Sequence, residues 1–278
     1  MTLFDPVEAQ APSGPIRRLR LTVAYDGTGF HGFAANVGVR TVSGVLAEAL
    51  GRHLGHRVEL TGAGRTDRGV HALGQVVTAD VRADRVSSDD DLVALARSVN
   101  RMCGPEVAVR DPTLVDAAFD ARASATARHY RYRIWNHAEP DPFSARTAWH
   151  VARPLALPSL RLACDPLIGE HDFSTFCRRP KVRAGDDVSL VRRVTEAAWQ
   201  DDGQGRLELH IEASAFCHQM VRSIVGLMVA VGAGRMTAGD VRPALDARDR
   251  SRSADLAPPH GLTLWTVRYP GWASVPDA

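Results

Sequence analysis

Apolar positions along the chain follow two periods in turn. Leu19, Leu21, Val23 and Tyr25 alternate with Arg18, Arg20, Thr22 and Ala24, the period-2 pattern of a half-buried strand. Val42, Val45, Leu46, Ala49 and Leu50 then recur at helical spacing behind a Thr41 cap, and Gly55 stops the run. Val58 to Leu60 and Gln75 to Val81 read as two strands joined by a Gly-rich loop. Ser87 and Ser88 precede an acidic first turn, Asp89 to Asp91, and a helix carrying Leu92, Leu95, Ala96 and Val99. Glu106 to Arg110 closes this half as a short strand, giving the order β-α-β-β-α-β.

That order repeats. Residues 128–136 alternate as a strand, a helix is expected from Leu160 to Ile168, and Leu190 to Trp199 and Arg206 to Ala213 flank an Asp-Asp-Gly turn. A strongly apolar helix is expected from Phe216 to Val231, a short one from Ala238 to Ala247 capped by Thr237, and a last strand from Leu262 to Val267. The pattern predicts an α+β fold of two tandem ferredoxin-like (βαββαβ) halves around a central, mostly antiparallel sheet with a cleft between them. The expected divisions are a flexible tail at 1–15, halves at 16–116 and 117–270, and a C-terminal tail at 271–278.

Composition changes this picture little. At 45% hydrophobic and 24% charged over 278 residues the chain is ordinary for a globular protein, which excludes bulk disorder and fibrous repeats. No apolar run reaches the roughly 18 residues of a membrane span, and Met220 to Ala233 is interrupted by Arg222. The N-terminus carries acids and no basic residue ahead of an apolar core, unlike a secretory signal, so a cytoplasmic location is expected. Net charge is only +2, but among 34 basic residues Lys181 alone is a lysine. Arginine forks bind phosphates in pairs of bonds and stack on bases as lysine cannot. Cys103, Cys164, Cys177 and Cys217 show no CxxC pair and no zinc-ligand spacing, so they read as buried free thiols and no metal is expected.

Four segments carry candidate chemistry. The loop GAGRTDRGVHALGQVV, Gly62 to Val77, is neither a Walker loop nor a dinucleotide fingerprint. Within it Asp67 lies between Arg65 and Arg68, cations that favour an ionised carboxylate; a turn aspartate bonding its own backbone is the other reading. The strand from Arg128 to Asn136 places Arg128, Tyr130, Tyr132 and Ile134 on one face and His129, Arg131, Arg133 and Trp135 on the other. With no acid from Ala121 to Ala138, it suits gripping phosphates and stacking an unpaired base, and Tyr130 fits either core or site. Arg178, Arg179, Lys181, Arg183, Arg192 and Arg193 form a basic loop over 178–193 that fits solvation or phosphate binding. In FCHQMVRSIVG, helical spacing puts His218 and Arg222 on one face.

Together these residues resemble the TruA family of tRNA pseudouridine synthases. The matching stretches are YDGTGFHGF (25–33), TVSGVLAEAL (41–50), GAGRTDRGVHALGQVV (62–77), FDARASATARHYRY (119–132), HDFSTFC (171–177), FCHQMVRSIVG (216–226) and GLTLWTVRYP (261–270). The resemblance implies isomerisation of uridine to pseudouridine at positions 38, 39 and 40 of the tRNA anticodon stem-loop, without cofactor or metal, by a homodimer spanned by tRNA. It implies that Asp67 is the catalytic carboxylate, as nucleophile or as base, and that Arg65 pairs with it and assists base extrusion. Tyr130 resembles the tyrosine that stacks on the flipped base, Leu262 or Leu264 the apolar side of its pocket, and Arg222 a position facing the cleft. One departure is Phe33-Ala34 where the family usually has Trp-Gln. The alternative from another class, a non-catalytic tandem RRM-like RNA binder, lacks the RNP1 pattern and gives no role to an acid in the Gly-rich loop.

Overall fold

The computed structural model describes residues 14–179 and 188–276, and the chain divides into two compact units. The first comprises residues up to Arg68 and Ala72–Ala125; the second comprises Gly69–His71 and Thr126 onward. The expected tail at 1–15 falls almost wholly outside the described residues, as do Lys181 and Arg183 of the basic loop.

The first unit runs β1 (Ile16–Tyr25), α1 (Val42–Leu54), β2 (Thr61–Gly62), β3 (His71–Arg82), α2 (Asp89–Cys103) and β4 (Val107–Val115). Its strands lie in the order β4-β1-β3-β2, every neighbouring pair antiparallel. Local chemistry sets both helix ends. The Thr41 side chain accepts from the Gly44 N–H, and Gly55 ends α1 in the left-handed region. Ser88 and Asp91 form a reciprocal capping box at the start of α2. Leu19, Leu21 and Val23 of β1 are buried completely, with Leu46 and Leu50 of α1 and Leu95 and Val99 of α2. The strand expected at Val58 to Leu60 lies instead at Thr61–Gly62, which pair with Thr78 and Val77. Val58 is buried as packing, outside the ladder.

The second unit contains β5 (Ala127–Trp135), β6 (Trp149–His150), α3 (Leu157–Leu162), β7 (Gly169–Asp172), β8 (Val191–Asp201), β9 (Arg206–Ala213), α4 (Met220–Gly232), α5 (Val241–Asp246), β10 (Leu262–Tyr269) and β11 (Trp272–Ala273). Its strands follow β11-β10-β5-β9-β8-β7, with the short β6 parallel to β5 and the rest antiparallel. The chain is thus mixed α+β with mostly antiparallel sheet. The expected helix at Leu160 to Ile168 is shorter, ending at Leu162, and Pro166 lies in a separate 3-10 turn, Asp165–Leu167.

Two expectations need correction here. Helix α4 begins at Met220, not Phe216, because Gln219 takes a left-handed backbone with φ of 67°. His218 therefore lies outside the helix and shares no helical face with Arg222. Only Cys103 and Cys164 are free, buried thiols; Cys177 and Cys217 are joined as a disulfide, which ties the chain after β7 to the segment leading into α4. Burial pushes the Cys164 thiol up to about 12, so it stays protonated.

Candidate active site

In the first unit the Gly-rich loop is held at Ala63, Gly64 and Thr66 on the way to Asp67. Ala63 donates its N–H to Val76 O at 2.8 Å, continuing the β2–β3 pairing. Gln75, wholly buried in β3, brackets Gly64: its Nε2 donates to the Gly64 carbonyl at 2.7 Å, and its Oε1 accepts from the Gly64 N–H at 3.3 Å. Thr66 is fixed twice, its hydroxyl 2.8 Å from the Tyr25 hydroxyl and its carbonyl accepting from the Phe33 N–H at 3.1 Å. Gly32 makes this approach possible. Its φ is 99°, and a Cβ there would lie 2.9 Å from the Thr66 carbonyl oxygen. Phe33 in turn packs against Tyr25, ring centroids 6.3 Å apart, and covers Gly62, where a side chain would collide with its ring. Arg65 and Arg68 are exposed, and Asp67 between them is half-buried.

Just past Asp67 the chain enters the second unit. Gly69, at φ of 78°, lies against the Pro259 ring, and His71 Nε2 is 3.0 Å from Arg146 O and 3.1 Å from His260 O. Tyr25, Thr66, Gln75 and His71 carry no role in the sequence-based reading. Sequence reading could have flagged Gln75, an amide opening the apolar run QVVTADV, since an interior glutamine needs partners.

Elsewhere in the second unit, β10 lies beside β5 in a register that sets Leu264 opposite Tyr130 and Leu262 opposite Tyr132. Tyr130, buried, also meets Phe216 edge-on at 5.1 Å. Leu264 is fully buried and Leu262 nearly so. Tyr132 is pure interior, its hydroxyl donating to Pro258 O at 2.8 Å and its phenol pushed up by burial. Arg222, in the first turn of α4, donates Nε–H to Ala257 O at 2.8 Å, so the segment before β10 is pinned on two consecutive carbonyls. Tyr130, Leu262 and Leu264 thus come together on one face of the β5–β10 pair, while Asp67 and Arg65 belong to the first unit.

The basic face of β5 meets an acid from the neighbouring strand. Glu208 of β9 bonds Arg131 Nη1 at 3.2 Å and Arg133 Nε at 2.5 Å, and His210 Nε2 lies 2.9 Å from the same carboxylate. Arg131 also stacks on Trp265 at 3.8 Å. Arg128 turns inward and donates to Ser214 O, and His129, buried beside His210, has its pKa lowered to about 4 by burial. One carboxylate from the neighbouring strand is thus shared by Arg131 and Arg133, which together keep a net positive charge. Of the basic loop, Arg193 pairs with Glu170 and Arg192 bonds Ser189 O and Val191 O. Among the described residues no group of three or more His, Cys, Asp or Glu is placed to hold a metal ion, and no helix is long and apolar enough to cross a membrane.

The family model for tRNA pseudouridine synthase matches residues 21–120 and 163–270, which contain the anchored loop, helix α4 and strand β10. The chain belongs to the tRNA pseudouridine synthase family. It is an isomerase. Among curated relatives it is 42% identical to a tRNA pseudouridine synthase A of Corynebacterium glutamicum, covering 91% of this chain and 89% of that one. It is 40% identical to that of Mycobacterium leprae (91% and 90% covered) and 36% to that of Bacillus velezensis (91% and 99%).

Proposed function

We propose that this enzyme converts uridine to pseudouridine at positions 38, 39 and 40 of the tRNA anticodon stem-loop, with Asp67 as its catalytic carboxylate. The observation that carries this reading is the Asp67 loop. A half-buried acid follows directly on residues locked by hydrogen bonds at Gly64 and Thr66, within a segment matched by the family model. An aspartate serving only as a turn residue has no need of such long-range anchoring.

The reaction breaks the N1–C1′ bond, turns the uracil and joins C5 to C1′; the C5 proton leaves and N1 gains one. No electrons or groups are exchanged with a second reactant, so the chemistry calls for neither cofactor nor metal. An ionised carboxylate supports charge developing at the anomeric carbon, either by adding to it or by removing a ribose proton. A base stacked in a stem must be flipped out at a cost of a few kcal/mol. Arg65 assists that step, Tyr130 stacks on the flipped base, Leu262 or Leu264 gives its apolar wall, and Arg222 contributes to substrate binding. The equivalent strand orders β4-β1-β3-β2 and β10-β5-β9-β8 support two ferredoxin-like halves. A cytoplasmic homodimer with tRNA as partner completes the reading.

The test is tritium release from tRNA carrying [5-³H]uridine, wild type beside Asp67→Asn. Release by the wild type and a loss of more than about a thousandfold in the variant, with tRNA affinity within about threefold, are expected. No release by the wild type with tight tRNA binding retained makes the protein a binding module, and release by Asp67→Asn makes Asp67 a turn residue.

A further inference from the structure

We propose that Gln75, Tyr25 and Thr66 form a positioning network that aims Asp67, an inference resting on the reading of Asp67 as the catalytic carboxylate. The three side chains are a relay of neutral hydrogen bonds. Gln75 Nε2 is shared between the Gly64 carbonyl at 2.7 Å and the Tyr25 hydroxyl at 3.4 Å, and that hydroxyl meets Thr66 Oγ1 at 2.8 Å. Gln75 is 0% exposed, Tyr25 5% and Thr66 7%, so water competes poorly for these bonds. Burial pushes the Tyr25 phenol up to about 12, keeping its proton in place across the neutral range.

Position in the chain gives the relay its function. Its last member, Thr66, is the residue before Asp67 and is held at the hydroxyl by Tyr25 and at the carbonyl by the Phe33 N–H. Two restraints on one residue, at its side chain and at its carbonyl, fix its backbone, and with it the direction in which the next residue leaves. Strands β1 and β3, which supply Tyr25 and Gln75, are adjacent in the sheet, so the loop is referenced to rigid elements instead of to its own turns. A carboxylate that must approach one ribose atom needs such support, because errors near 1 Å cost large factors in rate.

Tyr25→Phe and Thr66→Val each delete one hydroxyl and preserve shape. Measured by single-turnover tritium release with enzyme in excess, each is expected to slow the chemical step about tenfold while the tRNA dissociation constant stays within about twofold. Thr66→Ser restores the hydroxyl and is expected to recover most of the rate. The double variant Tyr25→Phe/Thr66→Val is expected to be little slower than either single, since both remove the same bond. Rates within twofold of wild type for both single variants, or a loss in Thr66→Ser equal to that in Thr66→Val, overturn the network. Release by Asp67→Asn in the same assay overturns the underlying reading as well; an inert Asp67→Asn beside an unaffected Tyr25→Phe overturns the network alone.

Discussion

The Gly62–Asp67 loop and the arginine face of β5 are both polar and partly enclosed, yet they are held in opposite ways. The loop is secured by neutral, directional bonds from Tyr25 and Gln75, each reaching across from a strand. The β5 face is secured by charge: Glu208 gathers Arg131, Arg133 and His210, and Trp265 lies under Arg131. Neutral bonds between buried groups depend strongly on angle and so define where a backbone goes. Ion pairs tolerate sliding and mainly cancel charge. A loop that must present one carboxylate calls for the first kind, and a sheet face crowded with arginines calls for the second.

The sharpest way to break this contrast is Gln75→Leu. It leaves Gly64 without its bracket and Tyr25 without one partner, and a loss of about 3 kcal/mol is expected from unmade buried bonds. Thermal melting checks it, and a shift under 1 °C would mean that the loop holds itself.

Glu208→Gln comes next, at about 2 kcal/mol near neutral pH, because one change weakens three contacts at a carboxylate that is mostly enclosed. Its signature is in the pH dependence. Burial alone would raise the Glu208 pKa, but hydrogen bonds from His210 and Arg133 and the charges of Arg133 and Arg131 outweigh it and bring it from 4.5 to about 2. The folded value lies below the unfolded one, so this stabilisation is complete above pH 4.5 and lost as pH falls toward about 2. Melting curves across that window are expected to slope less in Glu208→Gln; parallel slopes would show that the carboxylate is not held by its neighbours. The smallest effect is expected from Arg131→Lys, which keeps the charge but gives up flat stacking on Trp265, at about 0.5–1 kcal/mol. The same melts measure it.

What was legible in the sequence had short range. The Thr41 cap and the Gly55 stop act within one helical turn and occur as read, and the acidic turn behind Ser88 does start a helix; that Ser88 and Asp91 close it as a reciprocal box appears only in the structure. Strands β5 and β9 and the last strand were equally visible, because alternation is a property of the strand itself. The late start of α4 was not, since the apolar pattern runs on through Phe216 while Gln219 turns left-handed. Within the candidate site, Asp67 and Arg65 stood out by motif, but the residues holding their loop did not: Tyr25 and Gln75 are 50 residues apart and meet only when β1 pairs with β3.

By itself, then, the sequence determined the α+β class, most elements and their caps, and the tRNA pseudouridine synthase family, because periodicity, capping and motif reside in neighbouring residues. Tertiary structure alone decided that Arg131 and Arg133 share Glu208, that Cys177 meets Cys217, that Gln75 holds Gly64 and that Tyr25 holds Thr66. Each of these depends on strand register or loop path, where a shift of one residue sends a side chain to the other face.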